Sequence, residues 1–138
     1  MDASDLQGRE FDWFATDADG HAGLFSTAGG GAIPGAVLAT RELHDAAVAA
    51  LLTAPPTSEV EFAPPVGPGL ANDWAAAAAR GLFAFDSDPN GGPYRLVARP
   101  KAPAQPDSLP AAVRDAAATA VLDVGFSRLI EGAPLALI

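Results

Sequence analysis

One stretch of the sequence has the residue types and the spacing of a cation-binding loop. Residues 86–91 are Asp-Ser-Asp-Pro-Asn-Gly, which matches the first half of a calcium loop, Asp-x-Asp-x-Asn-Gly. Side-chain oxygens at alternate positions can converge on a hard cation, and the glycine permits the bend that the loop needs. Asp86, Asp88 and Asn90 are therefore candidate metal ligands. Since Val97 stands where a bidentate Glu belongs, a polar hairpin turn is the alternative.

A second group of acids lies near the start of the chain, beside a histidine. Residues 1–20 hold six acids and one Arg. His21 with Asp17 or Asp19 has the residue types of a catalytic relay, but no Gly-x-Ser-x-Gly nucleophile elbow is present. Acids on one hairpin more often form a solvated face. We therefore predict no catalytic residue, and we take Asp12, Asp17 and Asp19 as a surface that binds a partner.

Composition excludes several classes of function. Seventeen acids against eight Lys and Arg give a net charge of −9, which is unsuited to binding nucleic acid or an anionic membrane. The absence of Cys rules out disulfides and thiolate chemistry, and no motif indicates a cofactor. An N-terminus without an apolar stretch predicts a cytoplasmic protein.

Two pairs of short apolar segments predict β-hairpins. Residues 11–16 and 21–27 flank an Asp-Ala-Asp-Gly turn, and residues 82–85 and 94–99 flank the 86–93 loop. The alternating segment 58–62 predicts one more short strand. Arg95 and Arg99 stand at alternating positions that predict one shared sheet face, where they pair with the acidic hairpin.

Three Ala-rich segments predict helices. Thr40 is the expected N-cap of the first, and its predicted apolar face places His44 on the solvent side. The second helix is expected over 73–80, with Asn72 as its cap. The third is expected to begin at Ser108 or Leu109. Its predicted face is Leu109, Val113, Ala116, Ala117, Ala120 and Val121.

These elements predict a single α+β domain over 1–138. We expect an antiparallel sheet of four to five strands with two or three helices on one face. The segments 11–53 and 80–122 share short motifs, which indicates either a duplicated ββα unit or a chance match of Ala-rich helices. The expected core aromatics are Trp13, Phe14, Phe25, Trp74, Phe83, Phe85 and Tyr94.

Two stretches resemble the signatures of a family of small bacterial proteins that have no assigned activity. The first is Trp-Phe-Ala-x-Asp-x-x-Gly at 13–20, and the second is Pro-Tyr-x-Leu-Val-Ala-Arg-Pro at 93–100. The resemblance implies no catalytic residue. In its small size and acidity the chain is also similar to immunity proteins of bacterial toxin systems.

We therefore predict a non-enzymatic acidic module that binds or inhibits a basic protein, with homodimerisation left open. The alternative is a small-molecule or calcium-binding protein that uses the 86–91 loop.

Overall fold

The fold is α+β, as the sequence predicts. A computed structural model describes residues 11–27, 30–62, 73–87 and 93–135. The strands are β1 (Asp12–Thr16), β2 (Ala22–Ser26), β3 (Val60–Glu61), β4 (Phe83–Ser87), β5 (Tyr94–Pro100) and β6 (Pro134–Leu135). The helices are α1 (Gly35–Leu38), α2 (Arg41–Thr53), α3 (Asp73–Ala79) and α4 (Ala111–Ala117), with single 3₁₀ turns at Pro106–Ser108 and Phe126–Arg128. Within the described residues no helix has the length and apolar character needed to cross a membrane.

The sheet is mixed, because one pair of neighbouring strands is parallel. Its order is β1-β2-β4-β5-β3, and β6 also pairs with β5. The two hairpins, β1–β2 and β4–β5, are antiparallel as expected, but they meet where β2 runs parallel to β4. The prediction of a wholly antiparallel sheet was therefore wrong at this seam. Turn chemistry specifies each hairpin locally, whereas the pairing between the hairpins is long-range.

The sheet separates two hydrophobic cores of different composition. On one side lie α2, α3 and α4, whose small side chains pack on Phe14, Leu24 and Ala84; we call this the helix-side core. Alanine at the contacts lets the helices approach the sheet closely. The other side, which we call the aromatic core, is built from Phe11, Trp13, Phe25, Phe83, Phe85, Tyr94 and Phe126.

The aromatic core is a set of stacked and edge-on rings. Trp13 stacks on Phe25 at 4.3 Å between ring centroids, and Phe25 stacks on Phe85 at 4.5 Å. The Trp13 indole N–H donates to the Tyr94 hydroxyl at 3.0 Å, and that hydroxyl donates to the Ala32 carbonyl at 2.7 Å. Both polar ends are thus satisfied inside the core, as buried Trp and Tyr require. Of the seven expected aromatics only Trp74 is partly exposed.

Helix α2 buries only part of the face predicted for it, which was Leu43, Ala46, Ala47, Ala50 and Leu51. Its buried residues are His44, Ala47 and Leu51, while Leu43 is 40% exposed. The expectation that His44 faces solvent was wrong. A hydrophobicity count selects Leu43, whereas hydrogen-bond partners inside the core select His44. Thr40 does precede the helix, but its hydroxyl donates to the Ala36 carbonyl at 2.7 Å instead of capping α2.

An irregularity in the β4–β5 pairing changes which face each β5 residue occupies. Ala84 lies opposite Ala98, but the next residue, Phe85, lies opposite Leu96, so β5 contains one extra residue. Such a bulge reverses the alternation of side chains beyond it. Arg99 lies over the Phe83 ring, on the side of the aromatic core. Arg95 lies between Tyr94 and Leu96, which both belong to that core, so Arg95 occupies the opposite face of the sheet. The prediction of one shared face for the two arginines was therefore wrong.

Both halves of the chain contain a hairpin followed by a helix. At the matched motif positions, however, Phe14 belongs to the helix-side core and Phe83 to the aromatic core. Helix α4 is also shorter than predicted, and Val121 beyond it is 70% exposed. The duplication over 11–53 and 80–122 stays a prediction.

Candidate functional site

The predicted site residues do not form one surface. Asp12 begins β1 opposite Ser26, and Asp17 follows the far end of the same strand. A strand of five residues is about 17 Å long, so these two carboxylates are well separated. Asp19 is exposed in the turn, whereas Asp17 is only 2% exposed. Of the three predicted partner-binding acids, the structure brings together Asp17 and Asp19.

The predicted calcium loop is described only in part. Asp86 is half-buried in β4, opposite Arg95 in the register of the hairpin. Asp88 and Asn90 lie outside the described residues, so the assignment of these three ligands stays a prediction.

The Asp17 carboxylate organises the first hairpin turn. Its Oδ1 accepts hydrogen bonds from the backbone N–H groups of Asp19, at 2.9 Å, and His21, at 2.8 Å. Its Oδ2 accepts a third from the N–H of Phe126, at 2.7 Å. Asp is favoured in such turns because its short side chain can bond to N–H groups a few residues ahead. Gly20, with φ of +89°, supplies the left-handed geometry that closes the turn.

Asp17, Asp19 and His21 bring three potential ligand atoms together. One carboxylate oxygen from each Asp and one ring nitrogen of the histidine all lie within 4.8 Å of one another. His21 Nδ1 is 3.6 Å from Asp17 Oδ2, and the His21 side chain is 18% exposed. Nδ1 itself is buried and makes no hydrogen bond. We call these three residues the turn cluster.

The segment 124–126 closes the turn cluster from the other end of the chain. Ala18 N–H donates to the Val124 carbonyl at 2.9 Å, and Phe126 N–H donates to Asp17. Gly125 lies between them, and a Cβ at this position would lie 2.8 Å from Asp19 Oδ2. The glycine thus leaves room for the Asp19 side chain. Sequence reasoning missed this segment, since no motif links residues more than a hundred positions apart.

Of the cations near the turn cluster, Arg128 lies beside Gly125, whereas Arg99 binds carbonyl oxygens. Arg99 lies 5.5 Å over the Phe83 ring and donates to the carbonyls of Leu129, at 3.0 Å, and Ser127, at 3.3 Å. Among the described residues, neither Arg95 nor Arg99 forms an ion pair with Asp17 or Asp19. The predicted pairing of these arginines with the acidic hairpin is therefore not found at Asp17 or Asp19, and for the other acids of the N-terminal segment it stays a prediction. Phe83 also lies 5.7 Å from the His21 ring.

The second histidine has a complete set of partners. His44 Nδ1 accepts from the Phe14 N–H at 3.0 Å, which makes Nε2 the donor to the Thr119 hydroxyl, also at 3.0 Å. The hydroxyl in turn donates to the Ala116 carbonyl at 2.7 Å. Burial lowers the pKa of His44 to about 4, although the nearby Asp45 carboxylate acts in the opposite direction. His44 is therefore a neutral structural group that joins β1, α2 and α4.

The two histidines thus differ in what they can do chemically. A neutral imidazole with both nitrogens bonded has no lone pair left for a ligand. His21 has a free Nδ1 beside two carboxylates, and this combination of oxygen and nitrogen donors can bind a metal ion.

The chain matches no family model, no curated protein and no solved structure at a significant level. The resemblance to small bacterial proteins therefore stays a prediction.

Proposed function

We propose that this protein is a non-enzymatic acidic module that binds a basic protein. One observation carries the proposal: exposed carboxylates outnumber exposed cations by nine to four among the described residues. The nine are Asp19, Glu42, Asp45, Glu59, Glu61, Asp107, Asp115, Asp123 and Glu131, and the four are Arg95, Lys101, Arg114 and Arg128. Such an excess attracts a cationic partner over distances near the Debye length.

The internal contacts of the arginines support the proposal. Arg80 donates to the carbonyls of Ala54, at 2.8 Å, and Ala76, at 2.9 Å. Arg99 makes two similar bonds, and Arg95 donates to the Gly132 carbonyl at 3.2 Å. These guanidinium groups thus bind backbone carbonyl oxygens of the chain itself. Within the described segments, Lys101 and Glu59 form the one ion pair between exposed side chains, at 3.2 Å.

The excess of negative charge is spread over the surface and is not confined to the predicted acids. Asp45 lies on α2, Asp115 on α4, and Asp123 directly before the segment 124–126 that closes the turn cluster. A distributed field increases the rate of association with a cationic protein more than it fixes one binding geometry. The proposal therefore predicts an affinity that depends strongly on salt.

Capture from a lysate of the source cells at low salt, followed by purification of the retained protein, tests the proposal. Titration of the two purified proteins at increasing salt should show a saturable complex whose affinity falls steadily. An acidic partner, or an affinity that does not change with salt, would contradict the proposal.

Charge variants make the same titration sharper. The triple variant Asp45→Asn, Asp115→Asn, Asp123→Asn should weaken the complex, because all three carboxylates are exposed. The matched variant Arg114→Gln, Arg128→Gln should strengthen it, since it removes two exposed cations. Equal affinities for both variants and the original chain would count against electrostatic recognition.

A further inference from the structure

We propose that the turn cluster binds Zn²⁺ or a divalent ion of the same class. The ligands are Asp17 Oδ2, a carboxylate oxygen of Asp19 and His21 Nδ1. This inference concerns a site separate from the distributed charge and does not rest on the proposed function.

The spacing of the ligand atoms fits tetrahedral coordination. Bonds of about 2.1 Å at tetrahedral angles put two ligand atoms about 3.4 Å apart. Asp17 Oδ2 and His21 Nδ1 are 3.6 Å apart, and one donor atom from each of the three residues lies within 4.8 Å of the other two. The exposed Asp19 side chain can rotate to complete the set, so that only a small movement is needed.

The His21 ring nitrogen is an independent sign of a ligand. Nδ1 is buried and has no hydrogen-bond partner, although Asp17 Oδ2 lies nearby. A buried polar atom without a partner costs free energy. The same polar atom in His44 is fully bonded, so the packing of this fold can satisfy a buried imidazole. A metal ion at the turn cluster would use the one lone pair that the turn leaves free.

The Asp17 carboxylate is held in place before any ion binds. Two backbone N–H groups bond to Oδ1 and the Phe126 N–H bonds to Oδ2. Donors of this kind fix the orientation of the carboxylate, as outer-shell hydrogen bonds do in metal sites. A carboxylate oxygen has a second lone pair, so Oδ2 can bind a metal ion while it keeps its bond to Phe126.

The donor set selects the class of ion. Imidazole nitrogen suits zinc, nickel and copper, whereas calcium and magnesium prefer oxygen ligands throughout. Three protein ligands leave a fourth position, which water can reach because Ala18 and Asp19 are exposed. We therefore expect Zn²⁺ to bind and Ca²⁺ to bind far more weakly.

Titration of the metal-free protein with ZnCl₂, against a chromophoric chelator, tests the proposal. We expect saturable binding of one ion, together with a change in the ¹⁵N chemical shift of His21 Nδ1. The ring signals of His44 should not change, since both of its nitrogens are already bonded. Absence of saturable binding at millimolar Zn²⁺, or a shift at His44 alone, would overturn the assignment.

Two variants identify the ligands without disturbing the fold. Asp19→Asn and His21→Gln should each weaken Zn²⁺ binding by about tenfold or more. Asp45→Asn is the matched control, because it removes the same charge from an exposed residue on α2. Equal weakening by Asp45→Asn and Asp19→Asn would show non-specific charge binding and would contradict the site. Thermal unfolding of each variant without metal confirms that the fold is intact.

Discussion

His21 and His44 lie beside the same hairpin but in opposite surroundings. His44 is fully buried, and each of its ring nitrogens has a partner on a different element. His21 lies at the turn between β1 and β2, where its buried Nδ1 has no hydrogen bond and two carboxylates are close. The first histidine has no donor or acceptor left for a ligand, whereas the second has one.

The difference shows that burial alone does not distinguish a structural histidine from one that can bind a ligand. His44 is the more buried group and burial lowers its pKa to about 4, yet both of its ring nitrogens are hydrogen-bonded. An unsatisfied atom beside further donor groups is the better indication of a binding site. Substitutions of these residues test that distinction, and the turn cluster depends most on Asp17.

Asp17→Ala should have the largest effect on stability. It removes the acceptor of three backbone N–H groups, so that each is left without its partner. At 1–3 kcal/mol for each lost bond, we expect the free energy of unfolding to fall by about 4 kcal/mol. Urea unfolding followed by circular dichroism measures this change. Asp19→Ala, an exposed truncation of the same kind, should change it by less than about 0.5 kcal/mol; similar losses for both variants would contradict the structural role of Asp17.

Acidification should destabilise the protein through His44. The pKa of this group is about 4 in the folded state against 6.5 for an unperturbed histidine, so the unfolded state takes up the proton first as the pH falls. The contribution is complete above pH 6.5 and is lost towards pH 4, at about 1.4 kcal/mol per pH unit or about 3 kcal/mol in all. Urea unfolding between pH 5 and 7 measures this slope. His44→Gln should have a flatter slope than the original chain, and an identical slope would show that His44 does not titrate in this way.

At neutral pH the two histidines should respond differently to the same substitution. His44→Leu leaves the Phe14 N–H and the Thr119 hydroxyl without their partner, which we expect to cost about 2 kcal/mol. His21→Leu removes a ring nitrogen that has no hydrogen bond, so it should change stability by less than about 0.5 kcal/mol. Thermal and urea unfolding of both variants provide the comparison. A larger loss at His21 would reverse the roles assigned here.

Gly125→Ala should have a small effect on stability and a clear effect on the turn cluster. The new Cβ would meet Asp19 Oδ2, the end of a flexible side chain, so the carboxylate can swing outward. Gly125 has a φ of −96°, which Ala adopts without strain. We expect less than about 1 kcal/mol of destabilisation, but weaker Zn²⁺ binding than in the original chain. An unchanged affinity for Zn²⁺ would show that Asp19 is not one of the ligands.

Local signals predicted the hairpins and most of the helices. The Asp-Ala-Asp-Gly turn predicted β1 and β2, and the Ala-rich segments predicted α2 and α3. These predictions succeed because turn and helix preferences act over a few residues. The inner face of α2 was misjudged at Leu43 and His44. A periodicity prediction takes account only of apolar residues, so it does not detect that the core contains hydrogen-bond partners for an imidazole.

The site depends on pairings that the sequence does not encode locally. Asp17 and His21 were identified as candidates from their types, but the Phe126 N–H that fixes Asp17 comes from far along the chain. The parallel β2–β4 seam is equally distant in sequence, with Gly23 opposite Phe83. Such contacts are selected by the packing of the whole domain, which no short motif determines.

His44 also bonds to the outer edge of the sheet. Strand β1 is an outer strand of the sheet, and a strand with unbonded N–H groups is a template for aggregation. Here the Phe14 N–H is bonded to His44, and the Thr16 N–H is bonded to the Ala120 carbonyl. Once His44 is protonated, its Nδ1 can no longer accept, and the Phe14 N–H loses this partner. Above about pH 4 the neutral histidine therefore keeps an N–H group of the edge strand bonded within the chain.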